Sequence, residues 1–296
     1  MTEMAGAAES AQGAKPQRPL LGAIRGVTLT ASDLAAVEAA WTGFMGYRTV
    51  YRGPVPEAVA RAWAAPALTG KPILVLEPES GEPTYLRFVE QETPDDGRPR
   101  HAQGWTAVEL TVQDSDALHE RLKDSPFKVA GPPRTVPTYS YLRAMQAIGP
   151  AGEHLNLTWI TEHRPDLAVA KSFVDRCFIT VMGVPDLPAA LEFYETTFGN
   201  TASPIRQLPQ FKLAVVVLND GSKIEIDEQA GPPPRPRAPG GLPPGLALVT
   251  FECSDFDRFA DRLIAPPAEA AFAPYKGRRV GVMAGAAGEL IELVEV

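Results

Sequence analysis

Four times along its length the chain repeats one unit: an alternating strand, an aspartate, then a run with helical spacing. The copies are VTLTASDLAAVEAAW around Asp33, VELTVQDSDALHERL around Asp114, ITVMGVPDLPAALEFY around Asp186 and VTFECSDFDRFADRL around Asp255. In the second copy Val108, Leu110 and Val112 alternate with Ala107, Glu109 and Thr111, a period of two that buries one face of a strand. Beyond Asp114, Ala117, Leu118 and Leu122 fit a short amphipathic helix whose first free N–H groups the aspartate caps. The aspartates are 81, 72 and 69 residues apart. Each copy is followed by a closing strand: YLRFVE at 85–90, HLNLTWI at 154–160, KIEIDE at 223–228 and LIELVEV at 290–296. A repeat this long exceeds a solenoid period, so each module is a larger unit.

Between opening and closing strands the modules predict further elements. Module one carries a helix from Leu34 to about Met45, strand Tyr47–Arg52, a helical Pro56–Ala65 with Trp63, and strand Ile73–Leu76. Module two has a turn at Pro132/Pro133, a strand within Tyr139–Ile148 and a turn over Gly149, Pro150, Ala151 and Gly152. Module three has a helix from Pro188 to about Phe198 and strand Leu213–Leu218. Module four ends with a turn over Gly285–Gly288 and the last strand. Residues 91–103 read as a polar linker. GPPPRPRAPGGLPPG at 231–245 reads as a stiff crossover, since thirty prolines in the chain are about twice the usual share of ~5%. TEHRPDLAVAK at 161–171, between the second and third modules, is the expected domain boundary. The expectation is a frayed tail over 1–19, an N-terminal domain over 20–162, a linker over 163–171 and a C-terminal domain over 172–296.

The totals bound the function. A chain of 296 residues with 45% hydrophobic and 22% charged residues suits two globular domains. A net charge of −8 argues against nucleic acid or an anionic membrane surface as partner. Cys177 and Cys253, in strands of different modules, read as small core hydrophobes. No apolar run reaches the ~20 residues of a membrane span, and the start has no secretory pattern, so the expected location is the cytoplasm. Nothing in the sequence sets the oligomeric state.

Modules of strand, helix and three strands, with the closing Gly288-Glu289-Leu290-Ile291-Glu292-Leu293, resemble the vicinal oxygen chelate superfamily of glyoxalases, extradiol dioxygenases and bleomycin-resistance proteins. The resemblance spans residues 22–296. It implies an α+β fold of four βαβββ modules paired into two cup-shaped mixed sheets, modules one with two and three with four. In that family a cup usually holds a divalent metal, with ligands seven residues before the capping aspartate and in the middle of the closing strand. Here the opening positions are Gly26, Ala107, Ile179 and Leu248, and the closing ones Arg87, Asn156, Glu225 and Glu292. The usual metal site is therefore expected to be absent and no cofactor is implied, with a water-held Mg²⁺ at Glu225 and Glu292 as an alternative.

Strand parity turns Thr28, Arg87, Glu109, His154 and Asn156 into the first cup. Arg87 is the expected electrostatic anchor, Glu109 or His154 the acid/base, Asn156 and Thr28 substrate contacts; Tyr139, Tyr141 and Arg143 are further contacts of ambiguous parity. Glu225, Glu292 and Thr250 are the candidates of the second cup, where Arg278 or Arg279 could neutralise the carboxylates. The expected activity is metal-independent proton transfer, isomerase or lyase type, on a small carbonyl-bearing, aromatic or cyclic molecule. The alternative is a protein that binds or sequesters a small molecule without turnover.

Overall fold

The computed structural model describes residues 19–92, 103–228 and 235–296. Residues 1–18 of the expected tail and most of the polar linker lie outside the described residues. Module one comprises β1 (Leu21–Ala31), α1 (Leu34–Phe44), β2 (Tyr47–Pro54), α2 (Glu57–Ala62), β3 (Pro72–Pro78) and β4 (Tyr85–Glu90). Module two comprises β5 (Gly104–Val112), α3 (Ser115–Leu122), β6 (Lys128–Val136), β7 (Tyr139–Ile148) and β8 (His154–Ile160). Module three follows with β9 (Val174–Val184), α4 (Leu187–Phe198), β10 (Arg206–Gln207), β11 (Lys212–Val217) and β12 (Lys223–Glu228). Module four has β13 (Leu246–Cys253), a 3₁₀ helix (Phe256–Arg262), β14 (Ala268–Glu269), β15 (Arg279–Ala284) and β16 (Leu290–Glu295).

Three of the four aspartates cap as expected. Asp33 accepts from Ala36 N at 2.9 Å, Asp114 from Asp116 N and Ala117 N, and Asp186 from Ala189 N at 3.0 Å. Asp255 makes no such bond, and the segment after it is 3₁₀ rather than α. The turn expected at Pro132/Pro133 lies inside β6 instead. That strand is the sheet's last, with register shifts on either side of Gly131, and an edge tolerates residues that cannot donate to a ladder.

The eight-stranded sheets run β14-β15-β16-β13-β1-β4-β3-β2 and β10-β11-β12-β9-β5-β8-β7-β6. Module one is thus joined to module four, through the antiparallel β1/β13 pair with Val27 opposite Val249. Module two is joined to module three through β5/β9, with Val108 opposite Thr180. This corrects the expected pairing of one with two and three with four. The chain passes from one sheet to the other between β4 and β5, stays in the second sheet from β8 to β9, and returns between β12 and β13. The supposed domain boundary at 163–171 therefore links two modules of one sheet.

Modules one and two, and likewise three and four, meet back to back, on the sides that carry the helices. One apolar core runs through both sheets there, from Trp41 and Leu86 to Leu157, Tyr194 and Leu293, and both buried cysteines line it. Two matching polar contacts cross it. Trp41 Nε1 of α1 donates to Glu153 at 2.9 Å, and Tyr194 Oη of α4 donates to Glu289 at 2.9 Å. Each glutamate also accepts from the backbone N–H two residues before it, Ala151 and Ala287. Gly149 and Gly285 make room for them: a Cβ would stand 1.9 Å and 1.8 Å from the respective Oε1. No helix of the described residues is long and apolar enough to cross a membrane.

Candidate functional site

The concave faces of the two sheets differ in what covers them. In the β1/β13 sheet the concave face is filled. Helix α2, the turn after it and the segment 270–278 supply Val59, Trp63, Leu68, Phe272 and Tyr275, all buried against Tyr85, Leu248 and Val282. At the centre lies Arg87, with no exposed surface. Its Nε donates to Thr28 Oγ1 at 2.8 Å, and its Nη2 to Thr250 Oγ1 at 2.9 Å and Glu292 Oε2 at 2.6 Å. Nη1 donates to the Tyr275 hydroxyl. Trp63 Nε1 and Tyr275 Oη donate to the other oxygen of Glu292, at 2.5 Å and 2.6 Å. The guanidinium lies 5.2 Å and 5.0 Å from the Trp63 and Tyr275 ring centroids. Burial works against the Arg87 charge, but Glu292 and Tyr275 together outweigh it and hold the arginine above its ordinary value. A charge pair this completely bonded needs no ligand.

The β5/β9 sheet has an accessible concave face. Glu109 of β5 sits on its floor, between Asn156 of β8 and Ile179 of β9 in the strand register. It accepts from Thr158 Oγ1 at 2.6 Å and keeps part of its surface open to the cup. Removal from bulk water, reinforced by the Glu225 charge, pushes its carboxyl up to about 7, against the Thr158 bond and Lys223. Glu225 of β12 is itself raised by burial, with Arg206 acting in the other direction. Asn156 Oδ1 accepts from Gln146 Nε2 at 3.1 Å, leaving the Asn156 amide N–H groups to the cup side. His154 lies on this same face, two residues before Asn156 on β8, and is partly exposed.

The residues expected to form one site are thus divided. Glu109, His154 and Asn156 come together with Glu225, whereas Arg87, Thr28, Thr250 and Glu292 are locked inside the other sheet. Arg87 anchors no ligand beside Glu109, because β4 and β5 belong to different sheets. The neutralising partner of Glu292 is Arg87 rather than Arg278 or Arg279; Arg279 pairs with Asp257 and Glu295. Tyr141 and Arg143 fall on the helix side: Arg143 makes two 2.6 Å bonds to Asp116 of α3, and the Tyr141 ring lies under Arg164. Tyr139 stands at the β6–β7 hairpin tip, its ring 5.7 Å from that of Tyr141, and its hydroxyl accepts from Arg206 at 2.5 Å. Gln146 and Arg206 were not expected. The alternation along β7 that gives Gln146 its face was readable; the two-residue β10 gives no such signal.

The metal-ligand positions, as the sheets assemble them, are Gly26, Arg87, Leu248 and Glu292 in the filled cup and Ala107, Asn156, Ile179 and Glu225 in the open one. A fixed guanidinium stands beside the single carboxylate of the first set. In the second only an amide and a carboxylate carry donors. No three His, Cys, Asp or Glu side chains converge among the described residues. Glu225 and Glu292 are in different sheets, so they cannot share an ion. These residues do not fit a divalent metal centre.

Comparison with known proteins bears on the architecture. Residues 176–292 match the sequence model of the Glyoxalase/Bleomycin resistance protein/Dioxygenase superfamily. The chain superposes on glyoxalase I from Zea mays with a TM-score of 0.65 at 15% identity, covering 92% of each chain. It superposes on a putative dioxygenase from Bacillus subtilis with a TM-score of 0.63 at 13% identity, covering 94% of this chain and 86% of that one. At such identities these likenesses speak for the fold. No curated protein matches by sequence.

Proposed function

We propose, for a chain that carries a domain of the Glyoxalase/Bleomycin resistance protein/Dioxygenase superfamily, that the β5/β9 cup binds a small carbonyl-bearing molecule and that Glu109 moves a proton on it. The carrying observation is Glu109 itself: a carboxyl on an accessible floor, held by one hydroxyl and pushed up to about 7. Near neutrality such a group is present in both forms, as proton transfer requires. In this reading the Glu109 carboxylate takes a proton from the carbon next to the carbonyl. The Asn156 N–H groups donate to the carbonyl oxygen as it gains charge, and the Gln146 bond keeps that amide turned the right way. In a β,γ-unsaturated carbonyl compound the proton returns from Glu109 to the γ carbon of the dienolate, an isomerisation. Where the β carbon bears a leaving group, the enolate expels it with the bonding pair and Glu109 hands it the proton, a lyase reaction. These steps use side chains alone.

The test is solvent-deuterium exchange into a panel of small ketones and keto acids, followed by proton NMR. Glu109→Gln keeps an acceptor for Thr158 but cannot take a proton, so exchange falls by about 10²–10⁴-fold while binding persists. Equal exchange by the variant and the wild type would remove the assignment. A ligand that stabilises both proteins alike and never exchanges would replace it with binding without turnover.

A further inference from the structure

We infer that Arg206 holds the acidic group of an organic acid at the mouth of the β5/β9 cup, so that the acid enters with its carbonyl end toward Glu109. This rests on reading that cup as a ligand site. Arg206 lies on β10 opposite Leu213, and Leu213 lies opposite Asp227, which puts the arginine on the concave side at one edge of the sheet. From there it spans to the far edge. Its Nη1 donates to Tyr139 Oη at 2.5 Å and its Nη2 reaches Thr138 Oγ1 at 3.4 Å, both at the tip of the β6–β7 hairpin. The guanidinium also lies 5.2 Å from the Tyr139 ring centroid.

Both partners are neutral oxygens on exposed residues, and Arg206 has no carboxylate within ion-pair distance among the described residues. A carboxylate offers the same donors charge-assisted, bidentate bonds and so displaces the tyrosine and threonine readily. Lys223, the basic residue nearer the floor, is committed elsewhere: its Nζ donates to the carbonyls of Asp166 and Gly221 at 3.0 Å and 2.9 Å. Arg134 of β6, opposite Ala144, adds a second exposed cation on the concave side at the other edge. The floor has the opposite character, with Glu109 and Glu225 facing inward. An acid is therefore repelled from the floor by its charged end and held at the rim by it. Its uncharged carbonyl points down.

Benzoylformate and levulinate, each against its methyl ester, separate the claims when titrated into the full chain by ligand-observed NMR and thermal shift. The acids should bind about tenfold or more tighter than the esters. Arg206→Met should bring them to the ester level and leave the esters unchanged. Tyr139→Phe removes the latch but keeps the cation, and acid binding should hold or improve. Equal binding of acid and ester, or parallel weakening of all four compounds by Arg206→Met and Tyr139→Phe, overturns the inference and leaves the cup reading standing. Gln146→Trp fills the cup; binding that survives it, or no binding to the wild type, overturns the cup reading itself.

Discussion

The closing strands β4 and β8 hold the same place in their modules, yet YLRFVE is buried on both faces while HLNLTWI leaves His154, Asn156 and Trp159 partly exposed. The same contrast separates β16 from β12. It arises from what each module inserts between its strands. Module one adds α2 and module four adds the segment around Tyr275, and together they fill the concave face of their sheet. Modules two and three make no such insertion, and their cup stays accessible. In the filled sheet the polar residues of the floor have turned to one another: Arg87 and Glu292 complete each other's hydrogen bonding. In the open sheet Glu109 and Asn156 retain unused capacity. A polar residue on a concave face is thus evidence of a site only when its partners are known.

The comparison breaks first at Arg87. Arg87→Leu leaves Glu292 buried without its cation and should cost about 3–5 kcal/mol in denaturant unfolding, whereas Arg87→Leu with Glu292→Leu should recover much of that. Asn156→Leu, on the accessible face, should cost about 1 kcal/mol or less. Similar losses from Arg87→Leu and Asn156→Leu would mean that the two cups are not differently built.

A smaller effect tests the junction the two sheets share. Burial pushes Glu153 up to about 7 despite its N–H donors and Trp41, and raises Glu289, Glu109 and Glu225 as well. Between about pH 4.5 and 7 the folded chain then holds protons that the unfolded chain has shed, so stability falls as the pH climbs through that range. Asp116, which its bonds to Arg143 hold below the usual carboxylate range, titrates under that window. Tm should therefore be lower at pH 8 than at pH 5.5. Glu153→Gln, still an acceptor for Trp41, should flatten the slope. An unchanged slope would show that Glu153 does not carry it.

The repeat announced the four modules, the faces of their strands and three of the four caps, because side-chain period and cap chemistry are local. Partner choice was not local. Val27 and Val108 are apolar and face the core whichever strand lies beside them, so nothing in β1 or β5 names β13 or β9 as the neighbour. With the partners wrong, Arg87 was set beside Glu109, and its true partner Glu292 was assigned to another site. The filling of one cup was hidden as well: Trp63 and Tyr275 read as ordinary core residues until the fold puts both over Arg87. Glu109 and Asn156 stayed together because β5 and β8 are in one module.

The function proposed for the open cup depends on a floor carboxyl, Glu109, poised near neutrality. The direct test is a pH titration of the side-chain carboxyl carbons by NMR in glutamate-labelled protein, compared with Glu109→Gln. The prediction is a resonance with a midpoint near pH 7 that is missing from the Glu109→Gln spectrum. A Glu109 resonance that titrates near the ordinary glutamate value of about 4.3 would contradict it.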